Sequence, residues 1–178
     1  MKKVLSVLAV LALAGVSAFA ADKQFQLKTD IADVNGFKVF APTDSASVTY
    51  ANVFSDSKAD DLGEVKVGTG WTDLKIVAVA TNKKSRTVKV SASGTRLAAD
   101  GATTYMGYSV KAGDTELTAV KSTDKGSVSL GDVVSVTGDG GQNIEQVLLK
   151  AAVNSDDFTA AAAGSYKATI TLTLSSNS

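Results

Sequence analysis

The chain has 178 residues, of which 18 are basic and 18 acidic, and it contains neither histidine nor cysteine. The balanced charge, with no sustained basic run, argues against a nucleic-acid-binding protein. The lack of histidine and cysteine removes the usual general base, the commonest zinc ligand and every Ser-His or Cys-His pair. We therefore expect no enzyme, no catalytic residue, no metal or cofactor, and no disulfide.

The first 20 residues have the pattern of a secretory signal peptide. Lys2 and Lys3 precede the apolar run 4–15, and a small-x-small triplet occupies 18–20. The apolar run is shorter than the roughly 20 residues that a membrane-spanning helix needs, and no later segment comes closer. The sequence predicts cleavage after Ala20 and an exported protein without a membrane span.

The segment 21–34 contains the first strand pattern. Its apolar or small side chains Phe25, Leu27, Thr29 and Ile31 fall at every second position, and the residues between them are polar. Period two predicts a strand with one buried face. Periodicity alone fits equally well a first strand of a closed domain and a strand that pairs with another chain.

Short strand patterns separated by turn signals fill most of the remaining chain. The run 71–80 is the most apolar of them and predicts a central strand. In 87–91, Val88 and Val90 are expected to point inward. The full set of predicted strands is 37–40, 47–53, 64–67, 71–80, 87–91, 104–110, 116–120, 127–130, 133–137 and 166–174. An exposed loop is expected at 55–61, and turns at 81–86, 112–115 and 138–141.

Two segments near the C-terminus differ in how clearly they can be interpreted. The segment 144–153 fits a helical stripe and a strand equally well, and propensity alone favours the helix. The last strand is unambiguous, because alternate residues are apolar or small up to the end of the chain. Its predicted inward residues are Tyr166, Ala168, Ile170, Leu172 and Leu174.

Many short strands with a turn about every 8 to 12 residues, and at most one helix, predict an antiparallel β-sandwich. The two strongest alternating strands lie near the two ends of the chain. A long exposed edge strand invites pairing with another chain. If the segment from Lys23 paired with the final strand of its own domain, the domain would be closed and monomeric. If it projected, the final strand would border an open groove.

Three stretches of the sequence resemble the alpha-class chaperone–usher pilins. They are KQFQLKTDIADV at 23–34, WTDLKIVAVATNKKSRTVKVS at 71–91 and the C-terminal run 145–178, so the likeness covers most of the expected mature chain. Its most specific parts are the alternating strand directly after the leader, the cysteine-free exported domain, and Ala163-Gly164-Ser165-Tyr166 before a terminal alternating strand.

The resemblance implies an all-β fold, an incomplete immunoglobulin-like antiparallel β-sandwich that is completed by a donor strand from a neighbouring subunit. It implies a signal peptide at 1–20, a donor-strand extension at 21–34 and a pilin domain at 35–178. The donor residues would be Phe25, Leu27, Thr29 and Ile31. The acceptor groove would be formed by Tyr166, Ala168, Ile170, Leu172 and Leu174.

The same resemblance implies the major structural subunit of an adhesive pilus. The subunit would pass through the periplasm to the bacterial cell surface, and its partners would be identical subunits, a periplasmic chaperone, an outer-membrane usher and a tip adhesin. The likeness also favours a strand at 147–153. The chain departs from the family at Asp33, where a proline often follows the donor strand, and this puts the hinge between subunits in doubt.

A second hypothesis belongs to a different class. The chain can be a monomeric, exported β-sandwich that binds a carbohydrate or a protein. Four features are candidates for a ligand role, and a structural role is expected for each of them. Tyr166 is expected to be a packing residue. Trp71 is expected to be a core or rim aromatic, the basic residues of the turn 81–86 to be solvated, and 138–141 to be a hairpin turn rather than a calcium loop, because a distal glutamate and regular acidic spacing are missing.

Overall fold

The computed structural model describes residues 34–99 and 103–177, which contain ten β-strands and three short helices. The strands are paired in antiparallel sheets, consistent with the predicted all-β sandwich. The strands are β1 (Asn35–Phe40), β2 (Thr72–Thr81), β3 (Thr87–Thr95), β4 (Leu97–Ala98), β5 (Tyr105–Met106), β6 (Tyr108–Ala112), β7 (Thr115–Glu116), β8 (Ser127–Thr137), β9 (Asn143–Val153) and β10 (Ile170–Ser176). The helices are a 3₁₀ helix (Ser45–Ser47), α1 (Tyr50–Val53) and α2 (Ser155–Ala160).

Two sheets enclose the main core. The first sheet has the strand order β1-β2-β9-β6-β7 and the second has the order β10-β3-β8, while β4 and β5 pair separately. Alternate residues of each sheet point between them, and Val77, Val79, Val88 and Val90 are completely buried there. The inward orientation predicted for the two valines of β3 is therefore confirmed.

The strand β2 is buried on both faces, which explains its nearly continuous apolar sequence. Val77 and Val79 face the main core, whereas Ile76, Ala78 and Ala80 form a smaller cluster on the outer face of the first sheet. The α1 segment covers this outer cluster with Val53, Tyr50 and Phe54. The prediction of a central strand at 71–80 is confirmed, since β2 lies between β1 and β9.

The structure tests three predicted strands, of which one is present and two are absent. Residues 147–153, for which the family resemblance favours a strand, lie in β9, and the strand also includes 144–146. The strand predicted at 47–53 is wrong, because the Thr49 hydroxyl accepts a hydrogen bond from the backbone N–H of Asn52 and caps α1. The strand predicted at 64–67 is also wrong, since these residues have no regular structure.

The two predicted hairpin turns join different sheets instead. The turn 81–86 leads from β2 in the first sheet to β3 in the second, and 138–141 leads from β8 back to β9. The two connections are bonded to each other, because the N–H of Ser85 donates to the carbonyl of Gly138 and the N–H of Gly138 donates to the carbonyl of Arg86. The turn predicted at 112–115 is a true hairpin, with Gly113 at φ 60° between β6 and β7.

Other predicted strands have different limits. The runs 127–130 and 133–137 merge into β8, with Gly131 at φ 114° where the register against β3 shifts. The run 104–110 is divided between β5 and β6, and only the first residue of 116–120 lies in a strand. The predicted leader and the strand at 25–31 lie outside the described residues. Within 34–99 and 103–177, no helix has the length and hydropathy to cross a membrane.

Candidate functional site

The outer edge of β10 is the most distinctive surface of the described residues. Among them, β10 has one neighbouring strand, β3, and forms the end of the second sheet. The carbonyl of Thr169 accepts from the N–H of Thr95, and the N–H of Asn177 donates to the carbonyl of Thr87. Because an antiparallel strand directs its main-chain groups alternately to either side, those of the even-numbered residues of β10 point away from β3.

The same even-numbered residues carry the apolar side chains. Ile170, Leu172 and Leu174 are half-buried and contact the main core, whereas Thr171 and Thr173 are exposed. Each of the three apolar residues thus directs its side chain toward the core and its main-chain N–H and C=O toward the edge. An edge of this kind is a template for one more strand.

The strand β1 lies on the same side of the sandwich as β10. Across the core, β3 faces β2, and β8 faces β2 and β9. The strands outside this central group, β1 in the first sheet and β10 in the second, therefore lie at the same margin. Phe37 of β1 is half-buried and contacts the same core as the three β10 side chains. Among the described residues no strand lies beyond β1 or β10 at this margin, which is bordered by Phe37, Ile170, Leu172 and Leu174, and we call it the open groove.

The two strands that border the open groove run in opposite directions. Asn35 pairs with Thr81 and Ser176 pairs with Val88, so β1 begins and β10 ends beside the connection 82–86. We call this end of the sandwich the turn end. The opposite directions of β1 and β10 follow from the pairing of β1 with β2, the pairing of β10 with β3 and the short connection between β2 and β3.

The predicted groove residues are only partly in a strand. Ile170, Leu172 and Leu174 lie in β10 as described. Tyr166 precedes the strand, contacts the core and donates from its hydroxyl to the carbonyl of Ala162 at 3.1 Å. Ala168 is exposed, and the predicted start of the strand at 166 is wrong, because a single bridge from Lys167 to Ala98 precedes the regular pairing. The donor residues lie outside the described part of the chain.

A shallow depression beside Trp71 is the second surface of interest. It has a volume of about 440 Å³ and is lined by Trp71, Gly107, Ser122, Asn154 and Asp157 among others. The carboxylate of Asp157 accepts from the N–H of Gly107 at 2.8 Å and from the hydroxyl of Ser122 at 3.1 Å. Because this carboxylate is already bonded on both oxygens, its evident role is to hold the loop in place.

Two further residues of this region have structural roles. Trp71 is 43% exposed, and the ammonium of Lys111 lies 4.2 Å from its ring centroid. The side-chain oxygen of Asn154 accepts from the N–H groups of Asp156 and Asp157 and caps α2. The sequence reasoning missed α2 and the role of Asp157. An Asn followed by two acidic residues is a helix-start signal that could have identified them.

In the loop 138–141, the carboxylate of Asp139 stabilises the turn itself. Asp139 Oδ1 accepts from the side-chain amide of Asn143 and the N–H of Gly141, both at 2.8 Å. These hydrogen bonds, the one from Asn143 most strongly, lower the pKa of the Asp139 carboxyl below its usual value. No group of three acidic side chains within 34–99 and 103–177 is arranged to hold a metal ion.

Comparison with known proteins gave no match to a family model, to a curated protein or to a solved structure.

Proposed function

We propose that this chain is the shaft subunit of a chaperone–usher pilus and that it polymerises by donor-strand exchange. In this mechanism the segment Phe25 to Ile31 of one copy enters the open groove of the next copy. The fold of each domain would then be an immunoglobulin-like sandwich that lacks its last strand until a neighbour supplies it. The subunit would be exported, capped by a chaperone, assembled at an usher and presented at the cell surface behind a tip adhesin.

The edge of β10 is the observation that carries the proposal. Three consecutive even-numbered residues combine a half-buried apolar side chain with main-chain groups that no other described residue pairs. An edge strand with an apolar inward face and unpaired outer main-chain groups can accept one more strand. Both kinds of group gain from one added strand, since the strand supplies ladder hydrogen bonds and covers the side chains.

Strand polarity favours a neighbour as the source of that strand. The segment 25–31 directly precedes β1, which begins at the turn end. To enter its own groove, the segment would have to reverse direction within residues 32–34 and would then run parallel to β10. A segment from another copy can pair in the antiparallel sense, which is slightly more stable per residue.

The expected gain in free energy is sufficient for a stable link. Phe25, Leu27 and Ile31 would contribute about 1.5 to 3 kcal/mol each if they were fully buried, or on the order of 5 to 9 kcal/mol together. The half-buried side chains of β10 would lose their remaining exposure and add to this gain. Thr29 would contribute little by burial and is small enough to fit a shallow part of the groove.

The test compares the chain from residue 21 with a version that lacks 21–31. The longer chain is expected to give a ladder of bands on SDS gels run without boiling. The shortened chain is expected to lose the ladder and to melt at a higher temperature when a synthetic peptide of residues 23–33 is added. If both versions are stable monomers and the peptide does not change their melting temperatures, the chain is a closed domain, as the binding-module hypothesis requires.

Point substitutions in the donor segment provide a matched pair. Leu27→Asp places a charge on the predicted buried face and is expected to abolish the ladder without unfolding the domain. Gln26→Asp introduces the same charge on the opposite face and is expected to leave the ladder intact. Loss of the fold itself in Leu27→Asp would contradict the proposal, because it would make this residue part of its own core.

A further inference from the structure

The start of β1 is tied to the connection between β2 and β3. The N–H of Val34 donates to Asn82 Oδ1 at 2.8 Å, and the carbonyl of Val34 accepts from the N–H of Asn82 at 3.3 Å. The backbone at Val34 is therefore fixed at the turn end. Only residues 32 and 33 separate Val34 from Ile31, the last residue of the donor pattern, and three residue steps span at most about 11 Å.

This short link determines which parts of two joined copies meet. A donor strand antiparallel to β10 enters at the turn end of the accepting copy, where β10 ends. It leaves at the opposite end, where β10 begins at Ile170 and β1 ends at Phe40, and we call this the exit end. Because Val34 follows Ile31 so closely, the turn end of the donating copy lies against the exit end of the accepting copy.

The exit end of the open groove is flanked by an acidic segment. Asp60 Oδ1 accepts from a main-chain N–H of β1 at 2.8 Å, and Glu64 forms an ion pair at 3.1 Å with Lys167, which precedes β10. Residues 60–65, which we call the acidic coil, include three acidic residues and no basic one, and Leu62 is 77% exposed. The acidic coil therefore offers negative charge and an apolar side chain at the place where the donor strand leaves.

The turn end carries the opposite charge. The connection 82–86 contains three basic residues and no acidic one, whereas the loop 138–141 bonded to it contains one charged residue, Asp139. Lys84 is exposed, and Val34 is half-buried. The surface that the donating copy presents is therefore basic, with an apolar side chain beside the linker.

We propose that the acidic coil of each accepting copy docks on the basic turn end of the copy that donates to it, an inference that rests on the proposed function. In this contact Glu64 lies near Lys84 of the donating copy, and Leu62 covers Val34 and the linker. The ion pair of Glu64 with Lys167 is no obstacle, because both side chains are largely exposed and such pairs contribute little to stability.

The docking contact sets the angle between successive domains. The donor strand supplies most of the free energy of the link, since buried apolar side chains contribute far more than exposed charges. Neither of the residues 32 and 33 is a proline, so no ring fixes φ in the linker. A second point of contact beside the linker restricts the orientation instead.

Disulfide cross-linking tests the contact, because the chain has no cysteine of its own. Gly63→Cys and Ser85→Cys are combined in the chain from residue 21. Both positions are exposed and lie at opposite ends of one domain, so their disulfide joins two copies. Lys125→Cys with Ser85→Cys is the control pair, since Lys125 precedes β8 at the exit end but at the opposite margin. Polymers are oxidised to completion, boiled and separated on non-reducing gels. The first pair is expected to give most of the covalent oligomers, because a disulfide needs two Cα atoms within about 7 Å.

Charge variants of the first cysteine pair test the docking itself. Glu64→Lys and Lys84→Glu each bring like charges together and are expected to lower the yield of covalent oligomer about 1.4-fold to 5-fold, the effect of a surface ion pair. The double variant restores opposite charges and is expected to regain the yield. Glu116→Lys, at an exposed residue of β7, is the control and should leave the yield unchanged. Thermal unfolding of each variant confirms that the domain is folded.

The outcomes separate this inference from the proposed function. If polymers form but the two cysteine pairs give equal yields, or if every charge variant keeps the native yield, docking of the acidic coil is overturned while donation stands. If the chain from residue 21 forms no ladder on unboiled gels, donor-strand exchange itself fails, and the docking contact fails with it.

Discussion

Replacement of Leu172 by alanine should weaken assembly more than it weakens the isolated domain. Removing a fully buried leucine side chain costs about 2 to 5 kcal/mol. In the free domain Leu172 is half-buried at the edge of the groove, so roughly half of that cost should appear there. The remainder, about 1 to 2.5 kcal/mol, should appear only when a donor strand covers the residue, which is a loss of roughly 5-fold to 60-fold in affinity.

The assay uses the chain that lacks 21–31 and a fluorescently labelled peptide of residues 23–33. Binding is followed by anisotropy, and the stability of the peptide-free domain by thermal unfolding. Thr173→Ala is the control, because Thr173 is exposed on the opposite face of the same strand. The argument is refuted if Leu172→Ala lowers the melting temperature without changing peptide affinity, or if the two variants weaken binding equally.

Three further predictions concern the domain itself. A side-chain methyl group at Gly94 would overlap the hydroxyl of Tyr108, so Gly94→Ala should destabilise the fold by about 1 to 3 kcal/mol in thermal unfolding, and Tyr108→Phe should suppress that loss. Burial raises the pKa of Tyr108 from 10.0 to about 12, which means that the folded state keeps the neutral phenol. The contribution of the buried, neutral Tyr108 phenol to the free energy of unfolding is therefore present below pH 10 and is lost as the pH rises to 12. Urea unfolding at pH 9 and 11.5 should show a loss of at most about 2 kcal/mol that is absent in Tyr108→Phe. Asn154→Ala removes the cap of α2 and should cost about 1 kcal/mol in thermal unfolding, whereas Asn154→Asp should retain most of the stability.

The sequence was sufficient where a strand carries a simple burial pattern. β3 alternates cleanly, and β2 is apolar on both faces because the α1 segment covers its outer side. It was insufficient at 47–53, where a local cap at Thr49 outweighed the alternation of Val48 and Tyr50. Hydrophobic period describes which side chains are buried, whereas caps and bridges decide where a strand begins.

The sequence did not predict which of the two sheets each strand joins. The turns 81–86 and 138–141 have the composition of hairpins, yet each connects the two sheets, because the pairing partner of a strand depends on contacts far along the chain. The same limit applies to the groove. The apolar face at 170–174 was predicted from alternation, but the position of β10 at the end of its sheet among the described strands depends on its pairing with the distant strand β3.

The place of β10 in the second sheet also has a kinetic consequence. Its only described neighbour is β3, and the strands β4 to β9 lie between them in the sequence. A pairing over such a distance must overcome a large loss of chain entropy before it gains any contact, so it is slow. While β10 is still being added, the apolar side chains at this margin are uncovered and prone to aggregate. We expect that a partner which covers this margin during folding reduces aggregation and raises the yield of folded domain.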